Sequence, residues 1–186
     1  MPIKKFLLII STLFLIGCQS QIGSLDAVWE KDNRELFNKI GVREYTGLTK
    51  EQAVNAMVIA FQRLDIIIEN SDFKTGTLTG SATAPKPLTY EEFESVKAVE
   101  DSRARQYVPF LIWKLTGFDS KLNVIFLDIP NGVQISLREK LNYRGNTTDF
   151  IPISNFPPKA TEIAIRKTWN EFEKVEFVQK ATLRKK

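Results

Sequence analysis

The stretch that decides the fold reads Leu122-Asn-Val-Ile-Phe-Leu-Asp-Ile-Pro-Asn-Gly-Val-Gln-Ile-Ser-Leu-Arg-Glu-Lys-Leu-Asn-Tyr143. Two runs rich in β-branched and apolar residues flank Pro130-Asn-Gly132, and this pattern predicts a β-hairpin. A two-residue Asn-Gly turn would pair Pro130 with Val133, although proline has no N–H to give to the ladder. A three-residue loop with Gly132 in the left-handed conformation pairs Ile129 with Val133 instead.

The hydrophobic pattern selects between these two registers. The three-residue loop places large apolar residues together on one face, namely Ile125, Leu127, Ile129, Val133, Ile135 and Leu137. The opposite face then pairs Asp128 with Gln134 and Val124 with Arg138. Because a slip by one residue moves every side chain to the other face, we expect the three-residue loop. Gly132 is then expected to need a positive φ, and Gly132→Val to destabilise the protein by about 1–2 kcal/mol.

Upstream of this hairpin, the sequence predicts a helix followed by two strands. Thr49-Lys-Glu-Gln52 is a capping box, and apolar residues follow it at helical spacing, namely Ala53, Met57, Ala60, Phe61 and Leu64. The segments from Leu64 to Glu69 and from Thr77 to Thr83 have strand patterns and predict a second hairpin. We expect a short helix from Asp26 to Ile40 and a short strand from Arg43 to Thr46 before them.

Two further helices flank the central hairpin. Thr89-Tyr-Glu-Glu92 is a second capping box and opens a charged stretch to about Arg105. This stretch predicts a solvated helix inserted between the hairpins, with a mobile lid as the alternative. A final helix is expected from Pro158 to about Gln179. Its buried stripe is expected to consist of Ile165, Trp169 and Phe172.

The order of these elements defines the fold class. The order is (β)αββ, an insertion helix, and then ββα. It predicts an α/β fold of the α+β type, with a single antiparallel β-sheet and the two main helices packed on one face. The chain has 186 residues, of which 43% are hydrophobic and 26% charged, which is typical of one globular domain.

The N-terminal segment carries the most specific motif of the chain. Two lysines precede an apolar run from Phe6 to Ile16, which is too short to span a bilayer and is typical of an export signal. The run ends in Leu15-Ile16-Gly17-Cys18, which resembles the lipobox of bacterial lipoproteins. This resemblance implies that the signal peptidase reads Leu15, Ile16 and Gly17 and that Cys18 is acylated, since a thiolate is the required nucleophile. The alternative is an ordinary signal peptide or membrane anchor with an incidental cysteine.

The lipobox resemblance also implies a location and a domain layout. An aspartate directly after the cysteine tends to retain Gram-negative lipoproteins in the inner membrane, and this chain has Gln19 there. We therefore expect a lipid anchor in the outer membrane, on its periplasmic face; in a Gram-positive cell it would lie in the outer leaflet of the only membrane. The expected layout is a signal peptide at 1–17, a lipidated tether at 18–27, a single α+β domain at 28–180 and a basic tail at 181–186.

The composition excludes much of the usual catalytic chemistry. Histidine is absent and Cys18 is the single cysteine, which excludes Ser-His pairs, Cys-His pairs and Cys/His zinc sites. Neither a Gly-rich phosphate loop nor an EF-hand loop is present. The paired acids Glu91 with Glu92 and Glu171 with Glu173 lie in amphipathic helices, where solvated positions are expected. We therefore expect no enzymatic activity, no cofactor and no metal. The formal charge of +4 owes much to the basic tail, so we expect no nucleic-acid partner.

A second resemblance concerns the mature domain. The element order, the lipobox and the strand Gly76-Thr-Leu-Thr-Gly80 are similar to the helix-grip domains of BamC-type lipoproteins of the outer-membrane assembly machinery. BamC-type proteins have two such domains and a longer unstructured N-terminus, whereas this chain has one domain. The resemblance implies a helix-grip fold and a place among envelope proteins.

One apolar segment is not explained by this order of elements. Pro109-Phe-Leu-Ile-Trp-Lys-Leu115 is interpreted either as a buried strand or core rim, or as a partner-binding surface. In the second interpretation Phe110, Leu111, Trp113 and Leu115 fill pockets of the partner. Trp113→Ala should then weaken partner recovery and leave the fold intact, whereas a core position would cost about 3–5 kcal/mol of stability.

These observations predict a class of function. We expect a membrane-anchored envelope lipoprotein that acts as a non-catalytic binding or assembly module, with the bilayer and another envelope protein as its partners. The alternatives are a carrier that holds an apolar ligand between sheet and helix, or a subunit of a secretion or surface apparatus. A co-purified lipid would favour the carrier, and cross-linking to an envelope protein would favour the binding module.

Overall fold

One antiparallel sheet of five strands organises the protein, in a computed structural model that describes residues 3–83, 86–109, 117–144 and 155–183. Side chains are described for 22–83, 86–109, 118–141 and 155–175. The elements are α1 (Ile3–Ile40), β1 (Val42–Thr46), α2 (Lys50–Arg63), β2 (Ile67–Asp72), β3 (Thr77–Thr83), α3 (Tyr90–Tyr107), β4 (Gly117–Ile129), β5 (Gly132–Arg144) and α4 (Pro158–Leu183). The strands lie in the order β1-β5-β4-β3-β2. The expected α+β fold with a single antiparallel sheet is therefore confirmed.

The two main helices, α2 and α4, cover the same face of this sheet, as the sequence predicts. Buried residues of both helices and of β3, β4 and β5 form one hydrophobic cluster. The predicted stripe of α4 is confirmed, because Ile165, Trp169 and Phe172 are all fully buried. Close packing is possible at Gly80, where a Cβ atom would lie 2.9 Å from the Phe61 ring of α2. Both capping boxes form as predicted, at Thr49 and at Thr89.

The central hairpin forms, but its register differs from the predicted one. Ile129 pairs with Gly132, and Val124 pairs with Leu137, so that Pro130 and Asn131 alone make the turn. Asn131 has a φ of 65°, which suits the second central position of a type II turn after proline. Gly132 does not adopt a positive φ. The predicted three-residue loop is therefore wrong. A two-residue turn formed by Pro130 and Asn131 already keeps the proline out of the hydrogen-bonded ladder, so a third loop residue is not needed.

The change of register also changes the buried face of β4. The helices cover Leu122, Val124 and Phe126, whereas Ile125 and Leu127 are 44% and 50% exposed on the open face. The buried face of β5 is as predicted, with Val133, Ile135 and Leu137.

Gly132 is required for close approach of β1 rather than for its own backbone conformation. A Cβ atom at Gly132 would lie 2.1 Å from the Tyr45 carbonyl oxygen and 3.0 Å from the Thr46 Cα. We expect Gly132→Ala to lower the free energy of unfolding by about 2–3 kcal/mol, because β1 must move away from β5. Urea denaturation measures this change. Gly23→Ala is the matched control, since a Cβ atom there meets nothing within 4 Å and helical alanine is favoured by up to about 1 kcal/mol. Equal denaturation midpoints for Gly132→Ala and the unsubstituted chain would contradict the close approach.

The inserted helix α3 packs against the domain through one of its faces. Its residues Phe93, Val96 and Ala104 are buried in a second cluster, where the Phe93 and Phe156 rings meet at 5.5 Å between centroids. Arg103 of α3 forms an ion pair with Asp32 of α1. The prediction of a fully solvated helix is therefore wrong for this face, and these contacts do not favour a mobile lid.

The folded domain begins earlier than predicted. Residues 22–27, assigned to the tether, lie in α1, and Ile22 and Leu25 are buried in the second cluster together with Trp29. The assignment of these residues to a tether is therefore wrong. Their spacing of three and four positions places them on one helical face, which explains their burial.

Candidate binding site

The sheet has an incompletely paired edge along β5. The last paired residue of β1 is Val42, which faces Ser136, and the Gly41 carbonyl accepts one more hydrogen bond from Leu137 N at 2.7 Å. Beyond this point β5 continues to Arg144 with β4 as its one strand partner in the described part of the chain. Backbone groups alternate in direction along a strand, so the N–H and C=O groups of Glu139 and Leu141 point to the same side as those of Leu137.

A cavity of about 550 Å³ lies beside this edge. It is lined by residues of α1, by residues 138–141 of β5 and by the beginning of α4. Its volume falls in the range of small-ligand sites. The lining combines polar and apolar groups and consists of Asp26, Glu30, Asn33, Arg34, Phe37, Asn123, Arg138, Glu139, Lys140, Leu141, Asn155, Phe156 and Thr161.

Glu139 is the most unusual residue of this cavity. Its side chain is 2% exposed on the helix-covered face of β5, and its Oε1 accepts a hydrogen bond from Ser120 Oγ at 2.6 Å. Its Oε2 has no hydrogen-bond partner among the described residues. Burial raises the pKa of Glu139 to about 7, against a smaller opposing effect of the Ser120 hydrogen bond. A buried carboxyl group without a cationic partner is costly, which makes it a marker of function.

A second buried acceptor lines the same cavity. Asn33 of α1 is 8% exposed, and its Nδ2 donates to the Phe156 carbonyl at 2.8 Å. Its Oδ1 has no partner within the described ranges. A buried polar atom left without a partner costs about 1–3 kcal/mol. Two such acceptors in one cavity favour an occupant that donates hydrogen bonds.

The charges around the cavity are largely paired within the protein. Arg34 and Glu30 form an ion pair at 3.0 Å, and Asp26 accepts a hydrogen bond from Asn155 N at 2.8 Å. Arg138 and Lys140 are exposed and alternate with Glu139, so their side chains lie on the opposite face of the sheet. Ser120 is completely buried, which excludes a nucleophile role for its hydroxyl group in this conformation.

A second depression, of about 480 Å³, lies over α4 next to Leu64. The two acidic residues that line it form ion pairs within the protein. Glu171 pairs with Lys174 at 2.5 Å, and Glu173 pairs with Arg43 and accepts a hydrogen bond from Tyr45 Oη at 3.0 Å. The contacts of Glu173 join α4 to β1, whereas the Glu171–Lys174 pair lies within α4. The predicted acid pair Glu171 and Glu173 is therefore structural.

In the other acid pair, Glu91 and Glu92, the partly buried residue Glu92 also makes structural contacts. Glu92 accepts hydrogen bonds from the Thr89 N–H at 2.8 Å and from Lys167 Nζ at 2.9 Å. Burial acts to raise the pKa of Glu92, but the hydrogen bonds from Lys167 and the helix cap outweigh it and lower the pKa. This carboxylate joins α3 to α4.

The structure does not describe the side chains of the site residues predicted from sequence. The lipobox residues Leu15, Ile16, Gly17 and Cys18 fall within the bounds of α1, but their side chains lie outside the described part. Phe110, Leu111, Trp113 and Leu115 lie outside the described residues, so the partner-binding surface proposed there stays a prediction.

The cavity residues were missed by sequence reasoning. The signal that points to Glu139 is its position in the alternation Val133, Ile135, Leu137, Glu139, Leu141, which places a carboxyl group on the buried face of β5. Asn33 has no comparable signal, because its role depends on how α1 packs.

Two kinds of feature are absent from the described residues. No helix there combines the length and the apolar character that a membrane span needs. No group of three or more potential metal ligands lies close together in the same part of the chain.

The described residues form an α+β fold with a cavity at one edge of the sheet. No family model matches the chain. No curated protein matches it either. Among solved structures it is similar to a DUF4468 family protein from Bacteroides ovatus, with 16% sequence identity and a TM-score of 0.29, over 76% of this chain and 82% of the other. A likeness at this TM-score supports no inference about function.

Proposed function

We propose that this protein is a lipid-anchored bacterial envelope protein whose domain acts by binding another envelope protein, without catalysis. The observation that carries the binding role is the cavity beside β5, in which the buried acceptors Glu139 Oε2 and Asn33 Oδ1 lack donors among the described residues. The anchor is acylated Cys18, processed after Gly17, in the outer membrane facing the periplasm.

The position of α1 supports a role close to the membrane. Ile22 is buried in the domain and lies four positions after Cys18. The intervening residues Gln19, Ser20 and Gln21 span at most about 10–14 Å even when extended. A lipid on Cys18 therefore holds the domain directly at the bilayer surface, and its α1 side faces partners that share this surface.

The packing favours this role over carriage of an apolar ligand. The space between the sheet and α2 and α4 is filled by a continuous cluster that includes Phe61, Phe126, Trp169 and Phe172. The cavity beside β5 presents polar and apolar groups together, among them the buried acceptors of Glu139 and Asn33. An apolar ligand would leave the acceptors of Glu139 and Asn33 without donors, at a cost of about 1–3 kcal/mol each.

Site-specific photo-cross-linking in cells tests this proposal. A photoreactive residue in place of exposed Arg34, at the cavity, is expected to yield one dominant adduct with an envelope protein. The same residue in place of exposed Glu51, on α2, is the matched control and is expected to yield no such adduct. An identical pattern from both positions, or none from Arg34, would count against a partner at the cavity.

A further inference from the structure

Among the described residues, no strand pairs with β5 beyond Leu137 on the side of β1, and this free edge and the cavity beside it form one continuous feature. The edge begins where the pairing with β1 stops, after Leu137, and the cavity is lined by the next residues, 138–141. The backbone groups of Glu139 and Leu141 point away from β4 along this edge. An extended segment that continues the line of β1 can pair with these groups, as peptides do when they add a strand to a sheet.

The pairing geometry of such a segment determines which of its side chains contacts Glu139. Residues directly opposite each other on neighbouring strands point to the same face, with Cβ atoms about 4.5–5.5 Å apart. A residue opposite Glu139 therefore directs its side chain toward the helix-covered face, into the cavity between β5 and α1. Asn33 of α1 lines the same cavity from the other side.

The chemistry of the two acceptors selects the side chain. Glu139 Oε2 and Asn33 Oδ1 both require a donor, and a lysine ammonium or an arginine guanidinium offers several donors at once. A cation also provides a counter-charge for the Glu139 carboxylate, which has no ion pair among the described residues. The charged groups of the neighbourhood are Asp26, Glu30 and Arg34 on α1, and Arg138 and Lys140 on the opposite face of β5. Of these, Arg34 is engaged by Glu30, and none pairs with Glu139.

We propose that the cavity receives an extended peptide segment of the partner protein, which adds to the free edge of β5 and places a lysine or arginine side chain against Glu139 and Asn33. This inference rests on the proposed binding function and names the chemistry of the partner. The main-chain hydrogen bonds provide affinity, and the buried carboxyl group selects the cationic residue.

Selection from a random heptapeptide library tests the inference on the purified, detergent-solubilised chain. Selected peptides are expected to be enriched in lysine or arginine at one fixed position. Glu139→Gln is expected to lower the affinity for a selected peptide about tenfold or more, since it removes a buried charge pair. Glu51→Gln is the matched control and is expected to bind like the unsubstituted chain. Hydrogen exchange should show that the peptide protects the amides of Glu139 and Leu141.

The pH dependence gives a second readout with a defined sign. A bound cation favours the ionised form of Glu139, so affinity for a lysine peptide is expected to fall as the pH is lowered from 8 to 5. The decrease is expected to be absent in Glu139→Gln.

Three outcomes would overturn the inference: no enrichment of cationic residues, equal affinity of Glu139→Gln, or protection of amides elsewhere than at the edge of β5. If any of them occurs while the photoreactive residue at position 34 still cross-links to an envelope protein, binding of an extended peptide at β5 is wrong and the proposed binding function stands. A chain that binds the peptide but carries an unmodified Cys18 would contradict the lipid anchor alone.

Discussion

Replacing Trp169 with alanine is expected to lower the free energy of unfolding by about 3–5 kcal/mol, the usual cost of removing a fully buried tryptophan side chain. Trp169 is 0% exposed, and its ring lies 5.9 Å from that of Phe172 and 6.4 Å from that of Tyr45. Its Nε1 donates to the Ile40 carbonyl at 2.9 Å, and the Arg43 guanidinium lies 4.8 Å from its ring centre. One side chain thus joins α4, the end of α1 and β1.

Urea denaturation followed by circular dichroism measures this effect. Asn170→Ala is the matched control, because Asn170 is the next residue of α4 and is exposed. Its effect is expected to stay within about 0.5 kcal/mol. A loss below about 1 kcal/mol for Trp169→Ala would contradict the burial of α4 on the sheet.

Replacing Glu139 with glutamine is expected to stabilise the protein at pH 8 by about 2–3 kcal/mol and to leave its stability at pH 4 nearly unchanged. Burial raises the pKa of Glu139 to about 7, whereas the unfolded chain has a value near 4.5. Between these two pH values the folded state holds a proton that the unfolded state has lost. The stability contributed by this proton is complete below pH 4.5 and is lost as the pH rises through 7.

Denaturation midpoints at pH 4, 6 and 8 test this prediction. Glu139→Gln remains neutral throughout, so the difference between variant and unsubstituted chain should grow with pH. Glu51→Gln, at an exposed position of α2, should show a constant difference. A difference for Glu139→Gln that does not change between pH 4 and pH 8 would mean that this carboxyl group is not buried.

The sequence predicted the elements of the fold well because local signals define them. The capping boxes at Thr49 and Thr89 fix two helix starts, and the stripe at Ile165, Trp169 and Phe172 fixes the buried face of α4. These features depend on neighbours within one or two turns of a helix.

The register of the central hairpin was harder to predict because both faces of β4 are apolar. Val124 and Phe126 alternate with Ile125 and Leu127, so the hydrophobic pattern of β4 does not distinguish its two faces. The deciding feature is the turn itself, in which Asn131 adopts a positive φ directly after Pro130.

The cavity was unpredictable for a different reason. It exists because β1 is shorter than β5 and because α1 packs beside the uncovered part of the edge. The burial of Ile22 and Leu25 extends α1 toward the lipobox, although the small polar residues around them resemble a tether. The length of an element and its packing partner do not follow from its own residues.

Attachment of the domain to the membrane by a lipid on Cys18 is the central proposal for this protein. The most direct test is the intact mass of the protein extracted from native membranes, together with the mass of its N-terminal proteolytic fragment. We predict a chain that begins at Cys18, has lost residues 1–17 and carries diacylglyceryl on the sulfur of that cysteine. A free thiol at Cys18, or cleavage at any other bond, would contradict the account.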